Sequence, residues 1–137
     1  MQPILYLAPL HGVTNSIFRN TYHRHFTGID YVMAPFITTI RTTETRAGRR
    51  KGHFKDLMPE NNPHYELIPQ VIGNDPGCFI ETAKTIEEIG YREVNLNMGC
   101  PFPMVTKKKR GSGILPHYEL IKDFLDKVCA KTEIDIS

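Results

Sequence analysis

Glu93-Val94-Asn95-Leu96-Asn97-Met98-Gly99-Cys100-Pro101 begins as a strand and ends as a rigid turn. Val94 and Leu96 are β-formers on one face, and Asn95 and Asn97 alternate with them on the other. Gly99 permits a backbone turn that other residues resist. Pro101 fixes its own φ and removes a donor. A thiol therefore stands where a strand gives way to a turn, with two amides just before it. A cysteine that serves only as a small hydrophobe more usually lies inside an apolar run. On this stretch alone, a chemical and a structural role for Cys100 both stay open.

Reading outward, the same strand-to-turn pattern recurs. Ile4 to Ala8 is almost continuously apolar, which suits a strand covered on both faces, as in a parallel sheet. Pro9 ends it. Thr14 is a good N-cap for a helix from about Asn15 to Phe26, with Ile17, Phe18, Tyr22 and Phe26 at helical spacing and Gly28 closing it. Tyr31 to Ala34 is a second strand, stopped by Pro35. Leu67 to Ile72 is a third, ending at Gly73, and its Pro69 demands a bulge or a strand start. Asp75 caps the next helix with Pro76 at its first position. Phe79, Ile80, Ala83, Ile86 and Ile89 form that helix's buried stripe, and Gly90 ends it. A last helix spans about His117 to Lys131, with Tyr118, Ile121, Leu125, Val128 and Cys129 inward. Ile134 to Ser137 starts a fifth strand.

Two basic segments interrupt the pattern. Arg41, Arg46, Arg49, Arg50, Lys51 and Lys55 face only Glu44, Asp56 and Glu60, and form either a solvated surface or one that meets phosphates. Phe54 is the lone aromatic among them, which does not make a base-stacking platform. Lys107-Lys108-Lys109-Arg110 follows the thiol and is either a solvated loop or an anion contact. Gly111-Ser112-Gly113 is too short for a P-loop.

Composition bounds the rest. The chain has 137 residues, enough for one ordinary domain, and its 40% apolar and 23% charged content is that of a soluble globular protein. A net charge of +2 is too small by itself to require a polyanion partner. Cys78, Cys100 and Cys129 are odd in number and widely spaced, which suggests neither a disulfide framework nor a metal site. Cys78 and Cys129 read as structural. Met1-Gln2-Pro3 lacks the basic region and apolar core of a signal peptide, and no apolar run approaches the ~20 residues of a membrane span. A cytoplasmic location is expected, with no membrane partner.

Alternating strands and helices imply an α/β fold, either an open doubly wound sheet or part of a (β/α)8 barrel. In both, ligands bind at the carboxyl ends of the strands. Pro9, Leu10 and His11, Gln70 with Gly73, and Asn97 with Cys100 fall at or near such ends.

These residues resemble a known family. Ala8-Pro9-Leu10-His11-Gly12-Val13-Thr14-Asn15, with Phe18-Arg19, resembles the opening of the tRNA-dihydrouridine synthases. Gln70-Val71-Ile72-Gly73-Asn74-Asp75-Pro76 is similar to their second motif. Asn95 to Pro101, followed by Val105, Lys107, Gly111-Ser112-Gly113 and Leu115, is similar to their active-site motif and is the most specific of the three. Leu10 stands where the family commonly has Met, and Asn15 where it commonly has Asp. Neither change removes a reacting group.

The resemblance implies a TIM-barrel enzyme, of which this chain would be the N-terminal half, about four to five βα units. It implies FMN as cofactor, NADPH as reductant and tRNA as substrate. The flavin would deliver hydride to C6 of a uridine and a cysteine would protonate C5. Carried over by motif, the catalytic cysteine is Cys100, the flavin contacts are Pro9, Leu10, His11 and Gln70, and Asn97 lies near the target base. Lys107 is placed on the substrate side. The second half of the barrel and a helical RNA-binding domain, which the family carries, are not in these residues. An ordinary thiol, with a pKa near ~8.5, is mostly protonated at neutral pH and donates a proton without special tuning. Two rival readings remain. One is another pyrimidine-reducing FMN barrel of the dihydroorotate dehydrogenase kind, against which the Val105 to Leu115 continuation argues. The other is a non-catalytic half-barrel that binds RNA or self-associates through open sheet edges.

Overall fold

A computed structural model describes residues 3–41 and 52–137. Of the first basic segment, Arg46, Arg49, Arg50 and Lys51 lie outside the described residues, while Arg41 and Lys55 lie within them.

The fold is mixed α/β, and every strand pairing is parallel. Strand β1 (Tyr6–Leu7) pairs with β2 (Tyr31–Met33), and β2 with β4 (Glu66–Ile68). Strand β3 (Ile37–Thr38) pairs with β5 (Gln70–Ile72), β5 with β6 (Glu93–Leu96), and β6 with β7 (Asp135–Ile136). Pro69 divides what the sequence reads as a single strand into β4 and β5, and beyond Pro35, where the second strand was expected to stop, the short β3 follows. Pro69 has no N–H for a ladder, yet its carbonyl still accepts from Asn95 N at 2.8 Å. Neighbouring strands follow chain order throughout, without the reversal of a doubly wound sheet.

Helix α1 (Ser16–His25) follows β1, α2 (Pro76–Ile89) follows β5, and the short α3 (Pro103–Thr106) and α4 (Tyr118–Cys129) follow β6. Asp75 Oδ1 accepts from Cys78 N at 2.7 Å and caps α2 as its sequence predicts. That bond to a backbone N–H holds the Asp75 carboxyl below its ordinary range. Val32, Ala34, Leu67, Val71 and Val94 of the strand lines meet Phe79, Ala83 and Ile86 of α2 and Phe124 and Val128 of α4 in one core. Phe79 and Phe124 meet edge to face at 5.3 Å. Each buried Val, Leu, Ile or Phe side chain in it contributes about 1.5–3 kcal/mol.

On α4 the expected inward residues are met in part: Val128 is buried and Leu125 packs against the core beside Phe124, while Tyr118 is 69% exposed and Cys129 is exposed. Cys129 follows Val128 by one residue, about 100° round the helix, so it leaves the core side. On α1 the aromatic stripe is not the buried face: Ile17 is 75% and Phe26 58% exposed, and the one buried residue is Arg19. The cap of α1 is Asn15, whose Oδ1 accepts from Phe18 N at 3.0 Å, and not Thr14. Strand β1 has β2 as its only sheet neighbour among the described residues, and Ile4, Leu5 and Tyr6 are exposed where two covered faces were expected. No helix among the described residues is long and apolar enough to cross a membrane.

Candidate active site

Cys100 follows the end of β6 and is held by its backbone from both sides. Asn97 Oδ1 accepts from Gly99 N at 3.1 Å and from Cys100 N at 3.0 Å, a side chain closing its own turn. The Cys100 carbonyl accepts from Ser112 N at 3.0 Å and from Ser112 Oγ at 3.2 Å. Gly111-Ser112-Gly113 can approach this closely because two of its residues lack a Cβ. A Cβ on Gly111 would lie 2.5 Å from the Cys100 oxygen, and one on Gly113 would lie 2.5 Å from the Thr106 oxygen. Gly111 also takes φ +54, which favours glycine. The thiol side chain itself is half-buried.

Next to it runs a row of amides. Asn97 Nδ2 donates to Gln70 Oε1 at 2.8 Å. Gln70 Nε2 donates to Asn95 Oδ1 at 2.8 Å and approaches Met33 Sδ at 3.1 Å. Asn95 Nδ2 donates to Ser137 Oγ at 3.1 Å. Parallel register sets this up: Gln70 and Asn95 are direct partners in the β5–β6 ladder, so their side chains leave the sheet on one face. Gln70 is the first residue of β5 and lies short of its carboxyl end, where it was expected; it is 7% exposed and its side chain reaches Asn97.

The loop after β1 is ordered differently. Leu10 N donates to Thr14 Oγ1 at 2.8 Å, and the Leu10 carbonyl accepts from Val13 N and Thr14 N at 3.0 Å each. Pro9 is partly buried, and Leu10 and His11 are exposed. The His11 ring stacks on Phe36, 4.9 Å between centroids, just past the end of β2. Gln70, Asn97 and Cys100 are therefore brought into one bonded group. Among the described residues no hydrogen bond or ring contact joins Pro9, Leu10 or His11 to it, although the loop lies at the same ends of the strands.

Behind this loop is a hub that sequence reasoning missed. Arg19 Nη1 donates to Thr14 O at 2.7 Å and to Asp56 Oδ2 at 2.8 Å. Its Nη2 donates to Asp56 O at 2.9 Å and Asn62 Oδ1 at 2.7 Å. Asp56 Oδ1 accepts from Ser16 N at 2.7 Å. Tyr65 joins through Asn62 Oδ1 at 2.8 Å, and burial pushes its phenol up while Arg19 opposes the shift. One signal in the sequence was an arginine inside a helix otherwise read by its aromatic stripe.

Lys107, at the end of α3, is exposed. The basic run it opens is fastened to the loop after β5: Asn74 Nδ2 donates to Lys108 O at 3.0 Å, and Arg110 Nε donates to Asn74 Oδ1 at 3.0 Å. Cys78 lies in the first turn of α2, where burial pushes its thiol up against the influence of nearby Arg41. A cleft of about 600 Å³ opens at the opposite, amino ends of the strands, lined by residues such as Tyr65, Glu66, Tyr91, Arg92, Glu93 and Asp135. The amide and thiol group belongs instead to the open rim at the carboxyl ends.

Parallel strands in chain order, with amides and a thiol near their carboxyl ends, define an α/β protein. The family model described as Dihydrouridine synthase (Dus) matches residues 6–137, and the chain belongs to that family, a family of oxidoreductases. It is 29% identical over 134 residues to tRNA-dihydrouridine synthase B of Pseudomonas aeruginosa, which covers 97% of this chain and 38% of that protein. It is 28% identical over 133 residues to tRNA-dihydrouridine synthase B of Shewanella oneidensis, covering 97% and 39%. It is 27% identical over 117 residues to a probable tRNA-dihydrouridine synthase of Staphylococcus aureus, covering 83% and 34%. The chain thus spans between about a third and two-fifths of the length of these relatives.

Proposed function

We propose that residues 1–137 form the N-terminal part of a (β/α)8 catalytic domain in a cytoplasmic, FMN-dependent tRNA-dihydrouridine synthase that uses NADPH. What supports this most is the bonded group of Gln70, Asn97 and Cys100 at the carboxyl rim, within a chain of that family. The sequential strand order supports the barrel.

The amide row suits one edge of a flavin ring. After the bond it accepts from Asn97, Gln70 Oε1 keeps a lone pair. A free carbonyl in this place matches an N–H of the ring; the ring edge is the part of FMN that Gln70 fits. Pro9, Leu10 and His11 would hold the ring from the β1 loop. When bound and reduced by NADPH, FMN supplies the hydride that goes to C6 of the uracil. Cys100 carries the proton for C5 on Sγ, and the turn closed by Asn97 fixes where that sulfur stands. Asn97 directs its remaining N–H toward the target base. The base must leave its stack, at a cost of a few kcal/mol. Lys107 to Arg110 and the segment Arg41 to Lys55 offset this through phosphate contacts.

Incubation of the complete barrel with FMN, NADPH and unmodified tRNA is expected to yield dihydrouridine, read by mass spectrometry of the digested tRNA. Gln70→Ala is expected to lose FMN on dialysis while tRNA affinity stays within about twofold. Absence of dihydrouridine, with flavin bound and reduced, would overturn the function. Undiminished FMN in the variant would overturn the role of Gln70. The isolated 137 residues are proposed to be inactive and to self-associate through their open sheet edges.

A further inference from the structure

An amide side chain can be placed two ways round, with oxygen and nitrogen exchanged, and its neighbours decide which. Here the decision starts at the Cys100 turn. Backbone N–H groups only donate, so the Asn97 atom facing Gly99 N and Cys100 N is oxygen. The other Asn97 atom is therefore nitrogen, and the Gln70 atom 2.8 Å from it must be oxygen. Gln70 then turns its nitrogen to Asn95, 2.8 Å away, where oxygen must stand. Asn95 consequently turns its nitrogen to Ser137 Oγ at 3.1 Å, and a hydroxyl can accept it. Reversing any one amide would set two oxygens or two NH2 groups against each other at hydrogen-bond distance. Gln70 is only 7% exposed, so water is poorly placed to relieve such a conflict.

We infer that Asn95 is a positioning residue: with Asn97 it clamps the Gln70 amide from both ends, so that Gln70 presents its carbonyl oxygen in one fixed sense. This rests on the reading that Gln70 meets the flavin ring edge. Asn97 dictates the sense, and Asn95 removes the alternative by taking the nitrogen end. Met33 Sδ, 3.1 Å from the same nitrogen, is a weak second acceptor that agrees with this sense. The clamp links the cofactor edge to the backbone of the proton donor through two side chains.

The test uses Asn95→Asp, Asn95→Leu, Asn97→Asp and the double variant Asn95→Asp with Asn97→Asp, each in the full-length protein. In Asn95→Asp the new carboxylate still accepts from Gln70, and the Ser137 hydroxyl can turn to donate to it. In Asn95→Leu the new side chain accepts nothing. Asn97→Asp alone lets Gln70, Asn95 and the Ser137 hydroxyl reverse together. Both aspartates at once put an acceptor at each end of Gln70, and no orientation serves both.

The flavin-free readout is the pair of Gln70 side-chain amide protons in nitrogen–proton correlation spectra. They are expected to stay resolved and slowly exchanging in Asn95→Asp and to lose that protection in Asn95→Leu. FMN affinity is expected to fall about tenfold in Asn95→Leu, the scale of one stranded buried donor, and to stay within about twofold in Asn95→Asp. In the double variant the loss should exceed the product of the single losses by about tenfold or more. Unfolding of the double variant while both single variants fold counts as the same non-additivity. Protected Gln70 protons with undiminished FMN affinity in Asn95→Leu would overturn the inference, as would a double variant equal to the product of its parts. If Asn95→Leu does not fold, the two aspartate variants decide alone. Unaltered FMN binding in Gln70→Ala would instead remove the reading of the site, and the Gln70 proton signals would still judge the clamp.

Discussion

Arg19 is 1% exposed, and its cation is neutralised by Asp56, whose side chain is 36% exposed. The two partners are therefore not equivalent. Removing Asp56 leaves a buried guanidinium without its counter-charge, a loss of about 3–5 kcal/mol, reduced toward the lower figure by water reaching the half-open Asp56 side. It also frees Ser16 N at the start of α1. Removing Arg19 in favour of methionine fills most of the same volume and leaves Asp56 able to face solvent, at about 1–2 kcal/mol. Urea unfolding is expected to rank Asp56→Ala well below Arg19→Met in stability; equal or reversed midpoints at equal slopes would contradict this ion pair. Little of this was legible in the sequence. An arginine in a helix reads as solvated, and its burial depends on Asp56, Asn62 and Tyr65, which lie some 40 residues onward and arrive only through the fold. Gln70, Asn97 and Cys100 were legible, because their motifs carry them.

At the scale of elements, the loop bearing Cys100 is locked by backbone contact. A methyl group on Gly113 would meet Thr106 O at 2.5 Å and Thr106 Cα at 2.6 Å. One on Gly111 would meet Cys100 O at 2.5 Å, in a backbone conformation with φ +54. A methyl group on Gly99 would have nothing within 4 Å. Gly111→Ala and Gly113→Ala are each expected to cost about 1–3 kcal/mol through strain and overpacking, whereas Gly99→Ala costs about 0.5 kcal/mol or less. Thermal melts of the three variants check the ranking, and a tolerated Gly113→Ala would mean that the two segments do not pack this closely. Most strands, their order along the chain and the helices α1, α2 and α4 were readable from alternation, periodicity and caps, whereas the short β3 was not. The inward face of α4 was readable at Leu125 and Val128 but not at Phe124, and the burial of Arg19 on α1 was not readable. Hydrophobic spacing fixes a stripe on a helix, but which stripe turns inward is chosen by the surface it meets, Phe79 in the case of Phe124.

Across the whole molecule, the apolar residues of β1 stand in the open. Ile4 is 64%, Leu5 48% and Tyr6 50% exposed, on a strand with one sheet neighbour among the described residues. Free edges and contiguous apolar surface favour association, at about 25 cal/mol for each Å² that becomes covered. The isolated 137 residues are expected to form dimers or larger species at tens of micromolar in light scattering, and a compact monomer under those conditions would contradict that expectation. The open edge follows from parallel strands placed in chain order, which the sequence pattern already implied. The proposed chemistry converges on a single atom, Cys100 Sγ. The most direct measurement is therefore single-turnover reduction of tRNA uridine by Cys100→Ala in the complete, FMN-loaded barrel. A fall of about 10²–10⁴-fold in the rate, with FMN content and tRNA affinity unchanged, is the result expected of a positioned proton donor; reduction at the full rate would contradict it.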